Sequence, residues 1–112
     1  MGTDRVPADP LGSIRRCLRE RRVLWTHHVN LRLGPRAIMR AMVLQATDSY
    51  EIIEAYPDAR FLPSYLLLGR AGSEALHVVV ALDEEGDTVR IVTVYRPDPA
   101  QWKDDLKTRR KP

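Results

Sequence analysis

A histidine and two arginines follow one another at four-residue steps in HHVNLRLGPR, residues 27–36: His28, Arg32 and Arg36. If this segment is helical, His28 and Arg32 emerge on one face and can act on a single ligand. Arg36 follows a Gly-Pro break, so its direction depends on the bend. Histidine exchanges protons and arginine stabilises negative charge that gathers on a phosphate, so the spacing suits phosphate chemistry. A solvated polar helix face has the same spacing, and both interpretations stay open.

His77 and Tyr95 are two further candidates for proton transfer, and both lie in strand-like segments. In ALHVVVAL, alternation places His77 on one strand face with Val79 and Ala81. It is a hydrogen-bonded core histidine if both sheet faces are covered, and it faces a cleft if it lies at the strand end. Tyr95, in RIVTVYRPD, either donates a proton to a leaving oxygen or covers the sheet edge with its hydroxyl in water.

Motifs for metals, nucleotides and covalent nucleophiles are absent from the sequence. The adjacent His27 and His28 are poorly placed to chelate one ion together, and there is no H-E-x-x-H pattern. No Walker or dinucleotide glycine pattern occurs, and no Ser or Cys lies in a nucleophile motif. The sequence therefore predicts no metal and no cofactor, and it disfavours nucleotide hydrolysis and acyl transfer.

Length and composition indicate a single domain of a soluble protein. The chain has 112 residues, of which 44% are hydrophobic and 29% charged. No apolar run reaches the roughly 20 residues that cross a bilayer, and the first ten residues contain no apolar signal core. We therefore expect a cytoplasmic protein without a membrane segment. Cys17 is the only cysteine, so no disulfide forms within the chain, and a buried thiol is expected.

The distribution of charge says more than its sum, which is +3. Basic residues are concentrated in IRRCLRERR (14–22) and KTRRKP (107–112), and acidic residues in ALDEEGD (81–87). Most of the cations are arginines, whose planar guanidinium suits phosphate better than a lysine does. A GC-rich genome would produce the same bias, so the charge pattern permits RNA binding without requiring it.

The first half of the chain is predicted to be helical. Residues 1–10 contain two prolines and are expected to be a flexible lead-in, and residues 11–112 a single domain. From Leu11, apolar residues recur at helical steps, with arginines on another face. Thr26 is placed to cap a second helix that carries the histidines. Gly34 and Pro35 interrupt that helix and start a third, which extends over residues 36–46.

The second half is predicted to be a sheet followed by one helix. Four segments rich in β-branched and aromatic residues are joined by links of hairpin length, which makes the sheet antiparallel. Asp98 and Pro99 are suited to cap and start a C-terminal helix, with Trp102 and Leu106 on one face. The predicted fold is therefore α+β: an antiparallel four-stranded sheet with N-terminal helices and a C-terminal helix packed on it.

Several of these segments, in this order, resemble the bacterial family called domain of unknown function 4258. THHVNLRLGPRAI, EIIEAYP, LPSYLLLG, LHVVVAL and IVTVYRPDPAQW carry the resemblance, which extends from about Trp25 to Arg110. Members often have Gly where Ala37 stands and Cys where Tyr65 stands. The positions that match the family pattern are His28, Arg32, Arg36, Tyr56, Pro57, Pro63, Ser64, Gly69, His77, Thr93, Tyr95, Pro97 and Trp102.

The resemblance implies a function, because this family is similar to RelE-like and MqsR-like toxins. These are small α+β ribonucleases that cut messenger RNA without a metal and are held inactive by an antitoxin, often of zinc-finger or helix-turn-helix type. A RelE-like fold and an endoribonuclease of a type II toxin-antitoxin system are therefore expected. The alternative is a non-catalytic module with a toxin-like fold that binds protein or RNA.

For the ribonuclease, His28 and His77 are the expected proton carriers and Arg32 the expected phosphate ligand. Tyr95 is the reserve acid. These side chains are expected to meet around one hollow open to water. Further contacts with the RNA backbone are assigned to Arg36, Arg109 and Arg110.

Overall fold

Three α-helices and five β-strands make up the part of the chain that the computed structural model describes, residues 8–111. The helices are α1 (Pro10–Arg19), α2 (His27–Leu33) and α3 (Arg40–Gln45), and a short 3-10 helix follows at Thr47–Ser49. The strands are β1 (Val23–Trp25), β2 (Glu51–Tyr56), β3 (Ser64–Ala71), β4 (Glu74–Asp83) and β5 (Thr88–Tyr95). The fold is therefore α+β, as predicted.

Helix α1 begins one residue before the predicted start. The Asp9 side chain accepts a hydrogen bond from the Gly12 N–H at 3.0 Å, and Pro10 takes the first helical turn, where its missing N–H costs nothing. Ile14, Cys17 and Leu18 are buried, which confirms the predicted apolar face and the buried thiol. Residues 1–7 of the predicted lead-in lie outside the described residues.

Helix α2 is capped as predicted, because the Thr26 hydroxyl accepts the Val29 N–H at 3.2 Å. The prediction that Pro35 starts the next helix is wrong. The N–H of Ala37 bonds to the Gly34 carbonyl and that of Ile38 to the Leu33 carbonyl, both at 2.9 Å, so the chain turns back. Ala37 has a φ of 54°, which no helix continues through, and α3 begins only at Arg40.

The sheet has five strands in the order β1-β5-β4-β3-β2, and it is mixed. The prediction of four antiparallel strands is wrong in one respect, because β1 pairs with β5 in parallel, Val23 opposite Val89 and Trp25 opposite Ile91. The other three pairings are antiparallel. A three-residue strand leaves almost no periodic signal, so β1 depends on its pairing with a strand more than sixty residues away.

The two faces of the sheet are covered differently. The helices bury one face, where Leu76 and Val78 of β4 join the main hydrophobic core. His77, which alternates with them, points to the opposite face. Residues 98–111, which we call the strap, lie over that face through contacts of Trp102 and Leu106 with His77.

The predicted C-terminal helix is wrong, because the strap contains turns and one isolated bridge between Trp102 and Arg109. Asp98 does start a turn, since its carbonyl accepts the Gln101 and Trp102 N–H groups at 2.9 and 3.0 Å. The turn stops there, because the Lys103 N–H bonds forward to the Thr108 carbonyl at 2.8 Å. No helix in residues 8–111 is long and apolar enough to cross a membrane.

Candidate active site

Helix α2 presents His28 and Arg32 to solvent. The helix is fixed by Val29 and Leu33, which are buried in the core, and by the Thr26 hydroxyl, which donates to the Ile91 carbonyl of β5 at 3.1 Å. His28 and Arg32 lie on the opposite, exposed side of the helix. Within the described residues neither side chain has a hydrogen-bond or ion-pair partner, so both are free to bind a ligand.

Arg36 connects this helix face to strand β5. Its backbone N–H bonds to the Arg32 carbonyl at 3.2 Å, so the helical path continues across Gly34 as far as Arg36. Its guanidinium donates to the Val94 carbonyl at 2.5 Å and to the Thr93 hydroxyl at 3.3 Å. Strand β1 pairs with β5 only as far as Ile91. Beyond that residue β5 has no partner strand on this edge, and Arg36 provides the hydrogen-bond donor for one of its carbonyls.

His77 is fully buried, with 0% of its surface exposed. Its Nε2 lies 2.7 Å from the Leu106 carbonyl of the strap, and because a carbonyl only accepts, Nε2 carries the hydrogen. Nδ1 is then an acceptor, and the Tyr95 hydroxyl donates to it at 3.3 Å. Burial lowers the pKa of His77, with the Leu106 carbonyl opposing the shift, so the ring is neutral at pH 7.

Two aromatic rings enclose His77. Tyr95 is its cross-strand partner, with ring centroids 5.3 Å apart, and Trp102 lies edge-to-face at 4.5 Å. Burial raises the pKa of the Tyr95 phenol, and the positive charges of Arg109 and Arg36 act in the opposite direction. Tyr95 is half-buried, so it separates the sealed imidazole from solvent and is the accessible member of the pair.

Arg109 and Glu54 join the strap to strand β2. The guanidinium donates to both carboxylate oxygens, at 2.7 and 3.0 Å, and its carbon lies 4.6 Å from the centre of the Trp102 ring. This pairing lowers the pKa of Glu54, which also accepts a hydrogen bond from the Tyr56 hydroxyl. Arg110 donates to the Pro99 carbonyl at 2.8 Å.

The structure brings only part of the predicted site together. His77 and Tyr95 are in contact, and Arg109 joins them through Trp102. The prediction that His77 lines a hollow open to water with His28 and Arg32 is wrong, because its contacts are Tyr95, Trp102 and the Leu106 carbonyl. The strap, which takes the place of the predicted C-terminal helix, seals the imidazole from substrate in this conformation.

Glu54 and the Leu106 carbonyl were missed by the sequence analysis. Glu54 lies 55 positions from Arg109, and nothing local in EIIEAY marks it as an arginine partner. A backbone carbonyl has no sequence signature at all. The only available signal was the presence of acidic residues in EIIEAY and of two arginines near the C-terminus.

Residues 8–111 contain no cluster of three or more His, Cys, Asp or Glu side chains that could hold a metal ion. A cavity of about 470 Å³ lies between β3 and the strap, lined in part by Arg70 and Lys107. None of the predicted site residues lines it.

Residues 25–96 match the family model described as domain of unknown function, DUF4258. The match includes His28, Arg32, Arg36, His77 and Tyr95, and it ends before the strap. It is therefore shorter than the resemblance seen in the sequence, which extended to Arg110. The chain matches no curated protein and no solved structure at a significant level.

Proposed function

Since this chain belongs to the DUF4258 family, we propose that it is a metal-independent endoribonuclease of the toxin type, with a RelE-like fold. The observation that carries the proposal is the exposed pair of His28 and Arg32, which have no partner in the described residues. Arg36 extends the pair to the edge of β5, where Tyr95 lies half-buried on a fully buried imidazole. Arg36 therefore links α2, which carries the proton carrier and the free cation, to the end of β5, which carries the acid.

The proposed reaction is attack by a ribose 2′-oxygen on the adjacent phosphorus. His28 takes the 2′-hydroxyl proton, the new O–P bond forms, and the bond to the 5′-oxygen breaks to leave a 2′,3′-cyclic phosphate. Tyr95 gives its proton to the departing 5′-oxygen, and Arg32 holds the charged phosphate. The positive charge of Arg36 favours the phenolate that remains.

We assign His77 a role other than the proton carrier expected from the sequence. Since both its nitrogens are engaged and its surface is fully buried, it acts through Tyr95 as a positioning residue. Its neutral Nδ1 accepts a hydrogen bond from the Tyr95 phenol, and this bond fixes the orientation of the hydroxyl once the phenolate has regained a proton from water. This assignment leaves His28 as the histidine that contacts RNA.

The proposed partners follow from the same surface. RNA is the substrate, and Arg109 and Arg110 contact its backbone through the guanidinium nitrogens that are not bonded to Glu54, Pro99 or Asp104. An antitoxin protein of zinc-finger or helix-turn-helix type inhibits the enzyme by covering α2. The site of action is the cytoplasm, where messenger RNA is found in bacteria.

The activity is tested by incubating purified, antitoxin-free protein with single-stranded RNA in excess chelator. We expect fragments ending in 2′,3′-cyclic phosphate, at the same rate with and without added Mg²⁺. Arg32→Ala should cut at least about 100-fold more slowly, because it removes the cation at the reacting phosphate. Intact RNA after long incubation with folded protein would contradict the proposal.

A second candidate function is a non-catalytic module that binds RNA or protein. The complete burial of His77 favours it, because one of the two histidines expected to carry protons cannot contact a substrate in this conformation. This candidate predicts RNA binding without cleavage, and induced expression that leaves cell growth unchanged. The ribonuclease predicts growth arrest that His28→Ala abolishes.

A further inference from the structure

The strap, residues 98–111, lies outside the part of the chain that matches the family, residues 25–96. Its backbone hydrogen bonds within the described residues join strap residues to one another: Lys103 to Thr108 and Arg110 to Gln101, each at 2.8 Å. None of them extends the sheet. The strap is therefore a self-contained loop laid on the sheet, and it can leave without breaking any strand pairing.

Side chains hold the strap in place. The ion pairs are Arg109 with Glu54 and Lys107 with Glu51, and in each pair at least one side chain is substantially exposed. Trp102 supplies the apolar contact, since it is 1% exposed and packs against His77. Exposed single ion pairs contribute little to stability in water, but the Arg109–Glu54 pair is bidentate and the Glu54 side chain is only 25% exposed. This pair, the indole and the Leu106 carbonyl are therefore the main attachments.

The Leu106 carbonyl and the Trp102 indole imitate parts of a nucleotide. The Leu106 carbonyl accepts a hydrogen bond from His77 Nε2 at 2.7 Å, as a phosphate or ribose oxygen would. The indole of Trp102 is a planar aromatic ring that covers the imidazole edge-to-face, in the place that the planar ring of an unstacked base would take. Arg109 lies over the indole at 4.6 Å, and arginine packs on bases in the same way.

We infer that the strap occupies a nucleotide subsite next to Tyr95, and that single-stranded RNA binds there only after displacing Trp102 and Leu106. This inference rests on the proposed function, since it names where one nucleotide of the RNA lies. The displaced strap leaves His77 Nε2 free to donate to an oxygen of that nucleotide. The protein is therefore inhibited by its own C-terminal segment until RNA or another event releases it.

The displacement is measured by the fluorescence of Trp102 in a Trp25→Phe variant, which leaves one tryptophan. The probe is a short single-stranded RNA with 2′-O-methyl groups, which cannot be cut by 2′-oxygen attack. We expect binding to shift the Trp102 emission to longer wavelength, because the buried indole becomes exposed to water. Binding with an unchanged emission would overturn the inference and leave the proposed function standing.

A second measurement follows the strap without RNA. Diethyl pyrocarbonate modifies accessible neutral imidazoles, and peptide mapping separates His77 from the exposed His27 and His28, which serve as internal references. We expect His77 to be protected in the wild type and to react about five-fold faster in Glu54→Arg, which breaks the bond to Arg109. The double variant Glu54→Arg with Arg109→Glu restores the pair and should restore the protection.

The outcomes separate the two proposals. If the swap restores protection of His77 but no RNA binds to any variant, both the ribonuclease and the nucleotide subsite are wrong, and the strap is a lid for another ligand. If Glu54→Arg leaves His77 as protected as in the wild type, the strap does not open and the inference is wrong. Should the charge variants fail to fold, the fluorescence measurement on Trp102 still decides.

Discussion

His77 donates from Nε2 to the strap and accepts at Nδ1 from Tyr95, which fixes its tautomer and leaves no nitrogen for another ligand. Burial of a histidine in this state favours the neutral form of its imidazole, so the ring resists protonation. The same residue type at position 28 is exposed and has no partner in the described part of the chain. Environment therefore assigns different tasks to two histidines that look equivalent in the sequence.

The buried histidine predicts a dependence of stability on pH. Because burial lowers the pKa of His77 below 6.5, the unfolded chain binds a proton on this residue that the folded protein does not. The free energy of unfolding should therefore decrease as the pH falls below 6.5, until the folded pKa is reached. His77→Gln should make this decrease shallower in urea titrations. An identical slope in the wild type and the variant would contradict the assignment.

Ala37 predicts a stabilising substitution. Its φ of 54° lies in the left-handed region, where a Cβ costs about 1 kcal/mol and glycine pays nothing. Ala37→Gly should raise the free energy of unfolding by about that amount. The matched control is Ala41→Gly on the exposed side of α3, where the same change should cost about 1 kcal/mol. A loss of stability in both variants would contradict the proposal that Ala37 is strained by its positive φ.

The elements are joined by contacts that a strand pattern alone does not reveal. Tyr50, fully buried just before β2, donates its hydroxyl to the Val43 carbonyl of α3 at 2.7 Å and lies against β3 at Gly69. A Cβ added at Gly69 would meet the Tyr50 ring at 2.3 Å. The absence of a side chain at Gly69 therefore allows α3, the 3-10 helix and β3 to approach one another.

This contact predicts that Gly69→Ala destabilises the protein by roughly 3 kcal/mol, because the tyrosine ring has no room to move in a close-packed core. Gly34→Ala is the control, since Gly34 has a helical φ of −58° and no atom within 4 Å of an added Cβ. It should be neutral or slightly stabilising. Thermal unfolding of the two variants decides, and equal melting temperatures would contradict the packing argument.

The periodicity of apolar residues was sufficient to predict the helices and strands that bury one face. Helix α1, the Thr26 cap and the four longer strands could be predicted, because each repeats an apolar pattern over several residues. Strand β1 and the strap could not, since one is three residues long and the other is held by partners distant in sequence. For the site, the exposure of His28 and Arg32 follows from helix spacing. The burial of His77 depends on the packing of the strap against it, and no local sequence pattern encodes that packing.

Across the whole molecule, many of the arginines serve the fold. Arg16 pairs with Asp87, Arg19 with Asp48 and Arg96 with Glu74, so much of the basic character of the sequence is neutralised locally. Arg15 donates to the Tyr50 carbonyl at 2.7 Å. Arg32 has no such partner within residues 8–111, so it remains available to RNA.

This distribution predicts a modest salt dependence of RNA binding. Each phosphate contact on single-stranded RNA contributes a slope of about 0.7 in a plot of log affinity against log salt. Arg32→Ala should lower the slope by about that amount, whereas Arg19→Ala should not change it, because Arg19 is already paired with Asp48. Fluorescence anisotropy between low and moderate salt measures both. Equal losses in the two variants would indicate non-specific attraction.

The central claim is that His28 removes the 2′-hydroxyl proton, and its most direct test compares two neighbouring histidines. His28 and His27 are both exposed at the start of α2, but only His28 is aligned with Arg32 and Arg36. In single-turnover cleavage of RNA without metal, His28→Ala should be at least about 100-fold slower than the wild type, the loss expected for a general base. His27→Ala should keep the wild-type rate. Equal rates in the two variants would contradict the account.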